Sequence, residues 1–134
     1  MDNCIFCKIV RGEVPSWEIY EDEHTYVFLD IHPAAEYHTL VIPKKHYINM
    51  LDVTEDDAVH VMRTVNKIVK LYREKLGIEH LQVICNSGAQ AEQVVFHLHY
   101  HIVPRAAGDG QDVKWTTHPE WRERFDEMLK RLRE

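Results

Sequence analysis

Residues 96–103 read Phe96-His97-Leu98-His99-Tyr100-His101-Ile102-Val103, and Pro104 closes the run. Successive side chains of an extended strand point to opposite faces. The alternation therefore predicts one long strand over residues 94–103. It sets His97, His99 and His101 on one face, and Phe96, Leu98, Tyr100 and Ile102 on the other, the core-facing one. A polar face that is histidine-rich by chance fits strict alternation poorly. A single metal held by all three also fits poorly. At ~3.3 Å per residue, His97 and His101 stand roughly 13 Å apart on a straight strand, while such an ion needs its nitrogens at ~2.0–2.1 Å. Separate tasks along an extended ligand, such as phosphates joined to a ribose, fit better. A neutral imidazole is nucleophilic and titrates near physiological pH. His99, flanked by two others, is placed to attack phosphorus and form a covalent intermediate that water then cleaves.

Outward from this strand, the remaining segments suggest a small mixed domain. The chain has 134 residues, enough to bury a core without disulfides, and it reads as one domain over residues 1–134. Its net charge of −6 argues against binding a nucleic-acid polymer, though not against a small nucleotide. No apolar run approaches the ~20 residues of a bilayer span, and the start lacks the pattern of a signal peptide. No membrane partner and a cytoplasmic location are expected. The odd count of three cysteines argues against a disulfide framework.

Residues 3–11 suggest a short helix ending at Gly12. Residues 17–21 and 26–30 suggest a hairpin, 38–42 a strand stopped by Pro43, 46–51 a helical turn, and 81–86 a further strand. The clearest helix spans residues 55–76. Thr54 can cap its start and Gly77 can end it. Its apolar face is read as Ala58, Met62, Val65, Val69, Tyr72 and Leu76. Val61 and Ile68 widen that stripe, enough for both a core and a dimer contact. Pro119 suits the first turn of a final helix, with Trp121, Phe125, Met128, Leu129 and Leu132 on its apolar side. The expected class is α+β: about five antiparallel strands, one long helix, and short N- and C-terminal helices.

Four segments in one order carry a resemblance. They are Cys4-Ile5-Phe6-Cys7-Lys8-Ile9-Val10, Asp30-Ile31-His32-Pro33, the run from His38 to His46, and Asn86-Ser87-Gly88. Together with His97-Leu98-His99-Tyr100-His101-Ile102-Val103 they resemble the histidine triad (HIT) superfamily, in its bacterial and archaeal nucleotide-binding branch. That resemblance implies a homodimer with a sheet continuous across both subunits. It also implies hydrolysis or transfer of a nucleoside monophosphate, of AMP or GMP type, from phosphoramidates or related compounds. His99 would be the nucleophile, His101 a phosphate contact and His38 a support for the triad. Asp30 would hold the ribose. Asn86 and Gln93, the latter with its backbone amide, would approach the phosphate. Ile5, Phe6, Ile9, Phe28 and Leu29 would line the base slot. The alternative is a binding or sensor module with little or no catalysis.

Three departures from the family pattern stand out, the first two of them at the phosphate contact. Glu92 stands where Gly is usual, Val94 where Ser or Thr is common, and Glu36-Tyr37 in place of Gly before His38. Cys4-x-x-Cys7 has the spacing of half a zinc site. His46 and His97 would complete a structural Cys2His2 centre, as in many relatives. Free thiols and a redox pair are the other readings of the two cysteines.

Overall fold

The computed structural model describes residues 3–134. Helix α1 (Ile5–Val10) leads into strands β1 (Glu18–Glu21), β2 (Thr25–Leu29) and β3 (Thr39–Pro43). Helix α2 (Glu55–Leu76), strands β4 (Leu81–Ile84) and β5 (Tyr100–Pro104), and helix α3 (Phe125–Arg133) follow. The strands form one antiparallel sheet in the order β1-β2-β3-β5-β4. Helices and an antiparallel sheet in this arrangement make the α+β class expected from the sequence.

The sheet is buried on both faces. Val27, Val41 and Ile102 pack against Val61, Val65, Ile68 and Tyr72 of α2. On the opposite face Tyr26, Phe28, Leu40 and Ile42 pack against Phe6 and Ile9 of α1. Burial on both sides explains why β2 and β3 read as continuous apolar runs rather than alternating ones. The histidine face therefore lies under α1 and is not an open surface.

Several sequence expectations are corrected. The strand predicted over residues 94–103 shrinks to Tyr100–Pro104. His97 and His99 precede it, on a segment that bends at residues 95–97. The backbone there bonds outside the ladder: the Leu98 N–H donates to the Tyr47 carbonyl at 2.7 Å. Phe96, assigned to the core face, is exposed. Residues 46–51 form no helical turn; Asp52 accepts the Ile48 and Asn49 N–H groups instead.

On α2 the buried stripe is Asp57, Val61, Thr64, Val65, Ile68 and Tyr72. It shares Val65 and Tyr72 with the predicted face and Val61 and Ile68 with its widening, and it is rotated toward these, leaving Met62 and Leu76 exposed. Two of its members are polar. The Thr64 hydroxyl pairs with that of Thr25 at 2.7 Å, and Asp57 accepts from the Tyr47 hydroxyl. A count of apolar residues passes over both. At the C-terminus, residues 111–134 are exposed apart from the half-buried Met128. The final helix begins as a 3-10 turn at Pro119–Arg124 before α3.

Candidate functional site

Register assembles the site. The β2–β3 pairing matches Leu29 with Thr39, and the β3–β5 pairing matches Leu40 with His101. Asp30, just past β2, and His38, just before β3, thus meet at one end of the sheet beside His101. The Asp30 N–H donates to the His38 carbonyl at 2.9 Å.

Hydrogen bonds determine the histidine tautomers. The Ala34 N–H lies 2.9 Å from His38 Nδ1, which must accept. His38 Nε2 therefore carries hydrogen and donates to His101 Nδ1, 2.9 Å away. Neutral His101 is then protonated on Nε2, where it presents a donor. His99 is set the opposite way. Its Nδ1 is 2.7 Å from the His97 carbonyl, which can only accept. The hydrogen sits on Nδ1, and Nε2 keeps its lone pair. The His99 and His101 rings are 4.9 Å apart, so a lone pair and an N–H donor stand side by side.

Burial keeps these rings neutral. It pushes His99 below the ordinary imidazole range, against the His97 carbonyl and Asp30, which pull upward. It pushes His101 down to about 4, and the neighbouring His99 and His38 add to the effect. His38 is lowered by burial too, opposed by Asp30, whose Oδ2 is 3.4 Å from His38 Nε2.

His99 and His101 open onto a cavity of about 520 Å³. Phe6, Ile9, Phe28, Leu29, Asp30 and Asn86 line it, as the sequence reading placed them. Val14, Pro15, Ser16, Ile31, Leu40 and Val95 also line it and were missed. Leu40 and Val95 carried only apolar character, which does not separate a slot wall from core. The wall is mostly apolar, with Asp30, Asn86 and the histidines at its polar end, the usual composition of a small-molecule site.

Gln93 is a correction. It does not line the cavity, and its side-chain amide and backbone N–H are used internally. Nε2 donates to the Ile48 and Val95 carbonyls, and Oε1 accepts from Asn49 Nδ2 and the Gly88 N–H. Its own N–H donates to the Gly88 carbonyl at 3.1 Å. It braces the loop, with both amides engaged within the protein. Glu92, next to it, lines the cavity with φ 72°, and Tyr37 has φ 64°. Both positions noted as departures from Gly are thus left-handed, where a side chain is strained.

The second cluster lies behind Phe6, whose ring meets His97 at 5.8 Å and His99 at 5.3 Å. Cys4, Cys7, His46 and His97 each offer one donor atom, and the four atoms lie within 4.8 Å of one another. His97 Nδ1 is 3.3 Å from Cys4 Sγ and 3.5 Å from Cys7 Sγ; His46 Nδ1 is 3.4 Å from Cys7 Sγ. Such separations approximate the edges of a tetrahedron with bonds of ~2.0–2.3 Å. His97 Nε2 donates to the Pro43 carbonyl at 2.9 Å, which leaves the Nδ1 lone pair toward the sulfurs. Burial pushes the Cys7 thiol up to about 11, with Cys4 adding to the rise. A cation is what would make thiolates stable there. The donor set and its tautomers fit zinc. Asp30, His38 and His101 also converge, but the nitrogens facing each other there already share a hydrogen bond.

The HIT domain family model matches residues 11–108. An uncharacterized HIT-like protein of Methanocaldococcus jannaschii is 46% identical over 84% of this chain and 86% of its own. An adenosine 5′-monophosphoramidase of Candida albicans is 36% identical over 98% of this chain and 90% of its own. Among solved structures, SMU.412c of Streptococcus mutans superposes with a TM-score of 0.93 at 38% identity, covering 99% of this chain and 85% of that one. A zinc-bound histidine triad family protein of Mycobacterium smegmatis gives a TM-score of 0.78 at 35% identity, covering 98% and 96%. With the family model spanning the sheet and the triad segment, and relatives this similar over most of its length, the chain belongs to the HIT domain family, the histidine triad proteins.

Proposed function

We propose that this protein cleaves nucleoside monophosphates from phosphoramidates or related nucleotidyl compounds through a covalent nucleotidyl-histidine on His99. The observation that carries the reading is the pair of fixed tautomers: an Nε2 lone pair on His99 beside an Nε2–H on His101. A nucleophile and an oxyanion donor are the two groups that displacement at phosphorus requires. His99 Nε2 attacks the α-phosphorus and the P–N bond to the leaving amine breaks. The amine departs with the electron pair and takes a proton from water. A second water then cleaves the phosphorus–histidine bond, releasing the monophosphate and restoring His99. His101 donates to a phosphate oxygen, and His38 holds its tautomer.

In the same reading Phe6, Ile9, Phe28 and Leu29 hold a purine base, Asp30 accepts from the ribose hydroxyls and Asn86 reaches the phosphate. Cys4, Cys7, His46 and His97 would hold zinc, which would supply a structural cross-link between α1 and the triad segment. Two copies pair: the exposed Val59, Met62 and Leu76 of α2 and the outer edge of β4 give a second copy an apolar face and a free strand edge. Three cysteines outside any disulfide suit the reducing cytoplasm.

Incubation with adenosine phosphoramidate followed by mass spectrometry tests the chemistry. A nucleotide adduct on His99 is expected, and His99→Ala should lose essentially all turnover while keeping its circular dichroism spectrum. Turnover persisting in that variant would overturn the assignment. A second reading, a binding module with weak catalysis, is favoured by Glu92, whose carboxylate on the cavity wall opposes an anion. Tight AMP binding with no turnover of any phosphoramidate would select it.

A further inference from the structure

Away from the cavity, another set of donors meets where the β1–β2 turn touches α2. His24 comes from the turn; Asp57 and His60 lie three residues apart on one face of α2. Each offers one ligand atom, and the three atoms lie within 4.8 Å of one another. The His24 and His60 rings are stacked, 3.7 Å apart and 9° from parallel; their in-plane lone pairs run side by side, so one ring must turn about its Cβ–Cγ bond for both to meet one ion. We infer that His24, Asp57 and His60 form a second metal site, separate from the Cys2His2 cluster, that takes a divalent transition ion of the zinc class.

The turn that carries His24 and the Asp57 side chain are held by their surroundings. Asp22 accepts the His24 and Thr25 N–H groups at 2.8 Å, which shapes the turn. The His24 carbonyl accepts the Lys44 N–H at 2.8 Å. Asp57 is buried, its N–H capped by the Thr54 hydroxyl and its Oδ2 accepting from the Tyr47 hydroxyl. A ligating carboxylate is commonly braced by such an outer hydrogen bond. Both imidazoles are half-buried, so an ion has a route from solvent. Lys45 Nζ is 3.9 Å from Asp57 and competes for the carboxylate, but its chain is largely exposed and free to swing away. Glu23, whose carboxylate is 3.7 Å from His24 Nε2, adds negative charge at the rim.

Two imidazoles and one carboxylate are hard-to-borderline donors with no sulfur, the set that holds zinc, nickel or iron(II) with positions left for water. With three protein ligands instead of four and no thiolate, the ion should exchange more readily than one bound by Cys4 and Cys7. Its effect would be to clamp the β1–β2 turn onto the start of α2. Tyr47 extends that clamp, since its hydroxyl meets Asp57 and its carbonyl accepts the Leu98 N–H between His97 and His99.

The test is zinc stoichiometry on the full chain without a polyhistidine tag, stripped with chelator and titrated by equilibrium dialysis. The wild type should bind one equivalent more than His60→Ala and one more than His24→Ala, variants on two different elements. Cobalt(II) separates the sites spectroscopically. Thiolate charge-transfer bands should survive in both variants, while the sulfur-free second increment of visible absorption disappears. Equal stoichiometry in the wild type and both variants would overturn the proposal. So would loss of the thiolate bands with the second equivalent retained. Circular dichroism on each variant confirms that the comparison is between folded chains.

Discussion

Glu92 sits in a left-handed conformation on the cavity wall, with φ 72°. A non-glycine residue there costs ~1–2 kcal/mol through the clash of its Cβ with the backbone. Replacing it with glycine relieves that strain but adds freedom to the unfolded chain, worth ~0.4–1 kcal/mol in the other direction. Glu92→Gly should therefore stabilise the protein by about 0.5 to 1 kcal/mol in urea titrations. It should also strengthen AMP binding by removing a carboxylate from the phosphate end. Glu92→Ala separates the two effects: the affinity gain should remain and the stability gain should not. Tyr37 shares the conformation, but its ring packs 5.8 Å from Tyr72, so the same exchange there would sacrifice a contact.

At the scale of elements, α2 is the part that positions most of the others. Its start is fixed by Thr54, whose hydroxyl accepts the Asp57 N–H at 3.2 Å. Thr54→Ala should cost about 1 kcal/mol, the usual worth of such a cap, read as a lower urea midpoint with unchanged slope. Its packing onto the sheet is pinned by two buried hydroxyl pairs, Thr25–Thr64 at 2.7 Å and Thr39–Tyr72 at 2.6 Å. Directional bonds of this kind choose one rotation of the helix among several with similar apolar burial. They account for the buried stripe containing Asp57 and Thr64 while Met62 and Leu76 face outward.

For the whole molecule, the buried imidazoles make stability depend on pH. Folded His101 titrates at about 4, whereas an unfolded histidine titrates near ~6.5. Between those values the unfolded chain binds a proton that the folded chain refuses, so stability rises with pH across the window and is lost as pH falls through it. His38 and His99 shift in the same direction and deepen the loss. Thermal melts from pH 7.5 to 4.5 should show a falling Tm, and His101→Gln should flatten that dependence. Assembly belongs to the same scale. The apolar residues left outside by α2, together with Trp121, Phe125 and Leu129 near the C-terminus, are exposed on a single chain. Sedimentation equilibrium should return twice the chain mass of 15.9 kDa. A monomer at micromolar concentration would remove the dimer from the proposal.

The long helix, its caps, the antiparallel class and the cavity-lining residues Phe6, Ile9, Phe28, Leu29 and Asp30 were legible in the residues and their order. So was the meeting of Cys4, Cys7, His46 and His97. Periodicity and capping are local, and four motifs in one order constrain a family even when no contact is known. The extent of the triad strand, the face of α2 that is buried and the task of Gln93 were decided only by tertiary contacts. The Leu98 N–H bonds to Tyr47 rather than to a neighbouring strand, polar residues on α2 find partners across the core, and the Gln93 side-chain amide ties its own loop to the distant Ile48–Asn49 segment. Alternation along a chain says which side chains share a face. Whether that face belongs to a strand, and what covers it, depends on where the distant backbone donors and acceptors come to lie.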